Sequence, residues 1–150
     1  MTSPTQVLPA HHRHCDDLFV AAEESAQHGD WAATAASFRH FHDQMQAHFE
    51  AEEALLFPAF EAATGMRGGP TEMMRYEHGQ MRALLSQLEA ACEAHDDDAY
   101  AGNAETLLML MQQHNMKEEN ILYPMCDQAL GAQADQLGAA MSAMLEQAGA

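Results

Sequence analysis

The sequence predicts an all-α protein, an up-down-up-down four-helix bundle with a short extra C-terminal helix. Three observations carry this reading. Ala, Met, Leu, Gln and Glu dominate, whereas Val occurs twice and Ile once, too few for a sheet-rich protein. Apolar residues recur at alternating three- and four-residue spacings over four long segments. A set of imidazole and carboxylate residues also occurs twice. His12, His48 and Glu52 are matched 66 residues later by His78, His114 and Glu118.

The elements follow in order. Residues 1–9, with Pro4 and Pro9, read as a lead-in, and the first helix runs from about Ala10 to His28. Its inner stripe is Leu8, His12, Cys15, Phe19, Ala22 and Ala26. Gly29 stops it, and Asp30 is the predicted N-cap of a second helix that begins near Trp31. That helix turns Phe38, Phe41, Met45, His48, Glu52 and Leu55 inward, until Pro58 is expected to bend or end it. Residues 64–70 form the loop between halves. A third helix, capped by Thr71, runs to about Ala94 with Met74, His78, Met81, Leu85 and Leu88 inside. Asp96, Asp97 and Asp98 open a fourth through capping and the helix dipole. Its inner face is Leu107, Met111, His114, Glu118 and Ile121, and it meets Pro124. Residues 133–148 form the fifth, amphipathic helix, with Ala134, Leu137, Met141, Met144 and Ala148 on one face. The bundle proper spans about residues 10–130 of a single domain covering 1–150.

The turns test this arrangement independently of the stripes. Asp30 is midway between His12 and His48, and Asp96 is midway between His78 and His114. At ~1.5 Å rise per residue, each pair lies about 25 Å from its turn on antiparallel neighbours, so its members arrive at one height.

Composition narrows the function classes. A formal charge of -17 argues against a nucleic-acid backbone or an anionic membrane surface as partner. Cys15, Cys92 and Cys126 are odd in number and widely spaced, which argues against a disulfide framework and fits a reducing compartment. No apolar leader and no run approaching ~18 apolar residues is present, so the expected location is cytoplasmic.

The doubled set carries the chemistry. His-x-x-x-Glu places both side chains on one helix face, one turn apart. Four imidazoles and two carboxylates are too many for one tetrahedral zinc and suit two metals sharing bridging carboxylates. Mixed imidazole and carboxylate ligation fits iron or manganese, and spacing alone does not choose between them. The predicted metal ligands are His12, His48, Glu52, His78, His114 and Glu118. Met45, Met74, Met81 and Met111 would make the surroundings dry and polarizable. His11, His14, His28, His40, His42 and His95 read as surface or turn residues, with His11 and His14 nearest the site. Glu53 and Glu119 read as exposed-face charges, the sharper alternative being acceptors for the histidine ring N–H. Tyr76 and Tyr123 read as packing residues or auxiliary ligands, and Cys15 as a small core residue.

The strings around these residues are H-x-x-C-x-x-L-F from His12, H-x-x-x-E-E-x-L-L-F-P from His48, E-H-x-x-M-x-x-L-L from Glu77 and H-x-x-x-E-E-x-I-L-Y-P from His114. Over roughly residues 10–130 the chain resembles the hemerythrin-like proteins of the HHE cation-binding class. The resemblance implies a four-helix bundle of the kind that myohemerythrin exemplifies. It further implies two non-haem iron ions bridged by carboxylates and an oxo or hydroxo group, with manganese or zinc possible on isolation. Oxygen-carrying members have a further His one turn after the third-helix His, where this chain has Arg82, and they space the last His and carboxylate one residue wider. The ligand set is more similar to bacterial proteins resembling the iron–sulfur-centre repair family. The function implied is binding or sensing of O2, NO or peroxide, in oxidative or nitrosative stress or iron handling. The alternatives are a di-iron enzyme with catalase-like or iron–sulfur-centre repair activity, and a passive iron-binding regulatory module. The expected partner is a small diatomic or peroxide ligand, and the expected assembly a monomer or homodimer.

Overall fold

The structure, a computed structural model, describes residues 2–149. It is all-helical. Helix α1 spans Pro4–Gln27 and α2 spans Trp31–Ala51. A π-helical turn, Glu52–Leu56, leads into α3, Phe57–Thr64. The second half repeats this with α4 (Pro70–Ala94), α5 (Asp97–Lys117), a π-turn at Glu118–Leu122 and α6 (Tyr123–Leu130). A 3-10 turn at Gly131–Gln133 precedes α7, Ala134–Gly149. Helices α1, α2, α4 and α5 make the four-helix bundle, with α3 packed on α6 beyond it and α7 laid across α1 and α2. The 66-residue offset extends past the ligands, since both π-turns and α3 and α6 begin and end at offset positions.

The turns form as their residues dictate. Gly29 takes φ 73°, and the Asp30 side chain accepts the Ala33 N–H at 3.0 Å. Asp96 caps α5 through the Ala99 N–H at the same distance. At the position equivalent to Gly29 stands His95, a non-glycine residue at φ 51°. Its ring stacks on Trp31 at 5.6 Å, a contact that offsets part of the cost of the left-handed backbone.

Several sequence expectations need correction. The first helix starts at Pro4, not near Ala10. Ser3 and Gln6 form a capping box, Pro4 is tolerated in the first turn, and Pro9 lies inside the helix. Packing of α1 against α7 holds that segment helical despite the hydrogen bond Pro9 cannot make. Thr71 is not a cap; Gly69 takes that position, and the Thr71 hydroxyl donates to Glu61 Oε2 at 2.6 Å. The chain stays helical through Pro58 and Pro124, which fall in the first turn of α3 and α6. The π-turn ahead of each inserts one extra residue, with Phe57 N–H bonding to Glu52 O and Tyr123 N–H to Glu118 O. That residue rotates the inner face, so Leu55 is only half-buried and Ile121 is 56% exposed. Leu56, Phe57, Leu122 and Tyr123 take the core positions instead.

Helix α7 also sits slightly rotated from expectation. It buries Ala134, Gly138, Met141 and Leu145, and leaves Ala148 exposed. The N-terminal segment crosses at Gly138, where a Cβ would lie 1.6 Å from the Thr2 carbonyl oxygen, so only glycine fits.

The core divides into two apolar plugs. One contains Cys15, Phe19, Phe41, Met45, Met81, Leu85, Leu107 and Met111 and reaches toward the α1–α2 and α4–α5 turns. The other contains Leu8, Leu56, Phe57, Phe60, Met74, Leu122, Tyr123 and Met141 and reaches toward α7. Along every bundle helix the predicted ligands fall between a residue of one plug and a residue of the other. A polar layer is thereby held between two dry ones. No described helix is long and apolar enough to cross a membrane.

Candidate metal centre

All six predicted ligands are buried in that layer, with Glu52, His78 and Glu118 at 0% exposure. Helices α1 and α4 bring one histidine each. The ends of α2 and α5 bring His48 and His114, and the first residue of each π-turn brings its glutamate. Two overlapping groups of donor atoms result, each with its members within 4.8 Å of one another: Glu52, His78, His114 and Glu118, and His12, His48 and Glu118. Glu118 Oε1 lies 3.2 Å from the Nε2 of both His12 and His114. Glu52 Oε1 lies 3.0 Å from His78 Nε2 and 3.7 Å from His48 Nε2. Despite this closeness, Glu52 Oε1, Glu118 Oε2, His78 Nε2 and His114 Nε2 lack a well-directed hydrogen bond. Buried polar atoms seldom go unpaired, and this set aims at common points, as ligand atoms do.

The outer nitrogens explain the orientation of the rings. His78 Nδ1 pairs with Glu53 Oε2 at 2.6 Å, His12 Nδ1 with Glu119 Oε2 at 2.7 Å, and His114 Nδ1 with Glu77 Oε1 at 2.8 Å. Each carboxylate fixes the tautomer that leaves Nε2 facing inward. His48 differs, because its Nδ1 meets His11 Nδ1 at 2.8 Å, and His11 Nε2 meets Gln44 Oε1 at 2.9 Å. Glu53 and Glu119 are therefore ring partners rather than exposed-face charges. Of the two histidines singled out as nearest the site, His11 is buried and joins it, whereas His14 is exposed.

Tyr123 enters the site because of the π-turn. Its hydroxyl lies 2.7 Å from Glu52 Oε2 and 2.8 Å from Glu118 Oε1. It is also 3.2 Å from His12 Nε2 and 3.4 Å from His48 Nε2. The offset position holds Phe57, whose ring stacks on His78 at 5.7 Å, so only one half carries a hydroxyl. Tyr76 is exposed and far from any such role. Arg82 faces outward, where its guanidinium binds both oxygens of Glu53 at 2.9 and 3.0 Å, donates from Nε to Gln46 and lies over Phe49. The Cys15 thiol is buried and pushed up to about 12, first by burial and then by Asp16, which makes it a packing residue and not a reactive one.

Protonation reflects the crowding of donors. Burial and repulsion from Glu118 push Glu52 up to about 7. Burial disfavours the charged forms of His114 and Glu118, but their mutual attraction outweighs it. His114 rises to about 9, and Glu118 stays well below the usual carboxylate range. His48 is pushed well below its ordinary value by burial and by neighbouring imidazoles, His12 first.

The family model described as the hemerythrin HHE cation binding domain matches residues 3–126. The chain belongs to that family. No curated protein and no solved structure matches it. For a hemerythrin HHE domain, the buried histidine and glutamate clusters are groups able to hold a metal. The sequence reading named Tyr123 only as a packing residue or auxiliary ligand, and His11 only as a surface or turn residue near the site. Tyr123 was hidden by the π-turn, which periodicity does not reveal. His11 was legible only by offset, since it occupies the position of Glu77 in the other half.

Proposed function

We propose that this protein is a non-haem di-iron protein that binds or senses O2, NO or peroxide, with a role in oxidative or nitrosative stress or in iron handling. His12, His48, Glu52, His78, His114 and Glu118 would hold the two metals. The observation that supports this most is the pair of buried donor groups sharing Glu118, with four inward atoms left without directed partners. Imidazole with carboxylate suits iron or manganese over softer ions.

Two such ions would supply redox chemistry there. The chain's own residues supply the rest. Glu53, Glu77 and Glu119 hold three imidazoles by their outer nitrogens. Met45, Met81, Met111 and Phe49 on one side, and Leu56, Phe57 and Met74 on the other, keep bulk water from the layer. A small apolar or weakly polar ligand fits such surroundings better than a large charged one.

The test is anaerobic loading with ferrous iron, metal analysis, and absorption spectra before and after exposure to O2, NO and peroxide. Two irons per chain and a spectral response to at least one ligand are expected. Two irons with no response to any would overturn the ligand-binding reading. Steady oxygen evolution from peroxide, lost in His48→Ala, would assign the protein to the enzymatic class instead.

A further inference from the structure

The two halves of the site obey the 66-residue offset almost throughout, and the exceptions are informative. Glu53 accepts from His78, and its offset partner Glu119 accepts from His12. Glu77 accepts from His114, but its offset partner is His11, which meets His48. Three imidazoles are therefore backed by a carboxylate and one by an imidazole.

The roles within that pair follow from the donor inventory. For His48 to offer its Nε2 lone pair inward, its proton must sit on Nδ1, and the facing His11 Nδ1 must accept it. The remaining proton of His11 then sits on Nε2, where Gln44 Oε1 accepts it at 2.9 Å. The chain from His48 through His11 to Gln44 is neutral. A hydrogen bond to a neutral acceptor is roughly half as strong as one to a carboxylate, and it polarises the ligand imidazole less. The Tyr123 hydroxyl on this side is engaged with Glu52 and Glu118 at 2.7 and 2.8 Å. On the other side, Arg82 and Lys117 stand behind Glu53 and Glu77 at 2.6 to 3.0 Å. Both cations are partly exposed, at 33% and 42% of the side chain, so solvent screens their charge while they still hold the carboxylates in place.

The two donor groups already differ, four residues against three; we infer that His11 widens this difference, so that the position held by His12 and His48 binds its metal more weakly than the position held by His78 and His114. The inference rests on the two-metal reading above. It assigns His11 as a positioning residue that acts through His48.

The test is stepwise anaerobic titration of the metal-free protein with Co(II), followed by absorption and calorimetry. Wild type should bind two ions with affinities differing ten- to a hundredfold, the usual reach of an outer-sphere partner. Repulsion between two dications also separates the steps, so the decisive variant is His11→Glu. It should tighten the weaker step at least tenfold and leave the tighter one within about threefold. That change has a ready neighbour, because the Gln44 amide nitrogen has no partner and can turn to donate to a carboxylate. Glu77→His is the converse and should weaken the tighter step at least tenfold. Circular dichroism of each metal-free variant checks folding, and His11→Glu is the variant that decides the role of His11. Two ions bound with equal affinity in wild type would overturn the inference and leave the two-metal reading intact. So would a weaker step unmoved in a folded His11→Glu protein, or a tighter step unmoved in Glu77→His. Fewer than two ions per chain would overturn both.

Discussion

Removal of the Glu53 carboxylate separates ligand-holding from ligation. Glu53 Oε2 accepts from His78 Nδ1 at 2.6 Å and from Arg82 at 2.9 Å, and Oε1 accepts from Arg82 at 3.0 Å. Burial alone would raise this carboxyl, but the hydrogen bonds from His78 and Arg82 outweigh it and bring it down to about 2. In Glu53→Ala, His78 keeps its place between Phe49 and Phe57 but loses the acceptor that fixes its tautomer. Outer-sphere partners of this kind are worth 10- to 100-fold in metal affinity, about 1.4–2.8 kcal/mol. Glu53→Gln keeps a carbonyl acceptor without the charge and should fall in the lower part of that range. Glu52→Ala and Glu118→Ala remove inward donors themselves and should lower metal content even at saturating metal. The assay is a chelator-competition titration for affinity, with metal analysis at saturation for stoichiometry. Glu53→Ala with wild-type affinity, or with the same loss of stoichiometry as Glu52→Ala, would refute the reasoning.

Three other outcomes are expected of metal, pH and packing, and a fourth of a helix cap. Metal binding should release protons near pH 7, because His114 is raised to about 9 and Glu52 to about 7 and a cation displaces both protons; calorimetry in buffers of different ionisation enthalpy measures it, and zero release at pH 7 contradicts it. The same raised values make the metal-free fold lose stability as pH rises, Glu52's share between 4.5 and about 7 and that of His114 between 6.5 and about 9, so denaturation midpoints should be lower at pH 9 than at pH 6. Phe41→Ala should cost about 3–5 kcal/mol in denaturant unfolding, since the ring is fully buried edge-on to Phe19, and a loss below about 1 kcal/mol would mean that plug is loosely packed. Asp30→Ala should cost about 1 kcal/mol by removing the cap on the Ala33 N–H, and an unchanged midpoint would show that the turn is held by other contacts.

The bundle was legible because its information is repeated. Four stripes with a helical period and two turns midway between matched histidines specify antiparallel helices at a common height. The inward placement of the six residues followed, since four histidines and two glutamates lie together on the apolar stripes. Leu55 and Ile121 mark where periodicity runs out. Leu55-Leu56-Phe57 and Ile121-Leu122-Tyr123 are three apolar residues in a row, so pattern alone cannot choose a face, and the π-turn that makes the choice arises next to Pro58 and Pro124. The same single-residue rotation delivers the Tyr123 hydroxyl to the centre. Pro9 misled for another reason, since local propensity disfavours it inside a helix and long-range packing on α7 prevails. His11 was obscured by the adjacent His12, and a comparison of His11-His12 with Glu77-His78 across the repeat identifies it.

The polar layer sets how strongly fold and metal depend on each other. Four buried inward atoms lack directed hydrogen bonds; Glu52 Oε1 lies 3.0 Å from His78 Nε2 and His114 Nε2 lies 3.2 Å from Glu118 Oε1, which offsets part of the about 1–3 kcal/mol that a wholly unpaired atom would cost. The remainder falls on a net stability that for an ordinary domain is only ~5–15 kcal/mol. The two apolar plugs must carry that load without metal, and their close-packed Phe, Leu and Met side chains are suited to it. A cation held in the layer would remove that cost and add its own binding free energy to folding. The burial that leaves these inward atoms short of partners would therefore make them tight ligands for a cation, and it requires the bundle to keep a dry plug on each side of them.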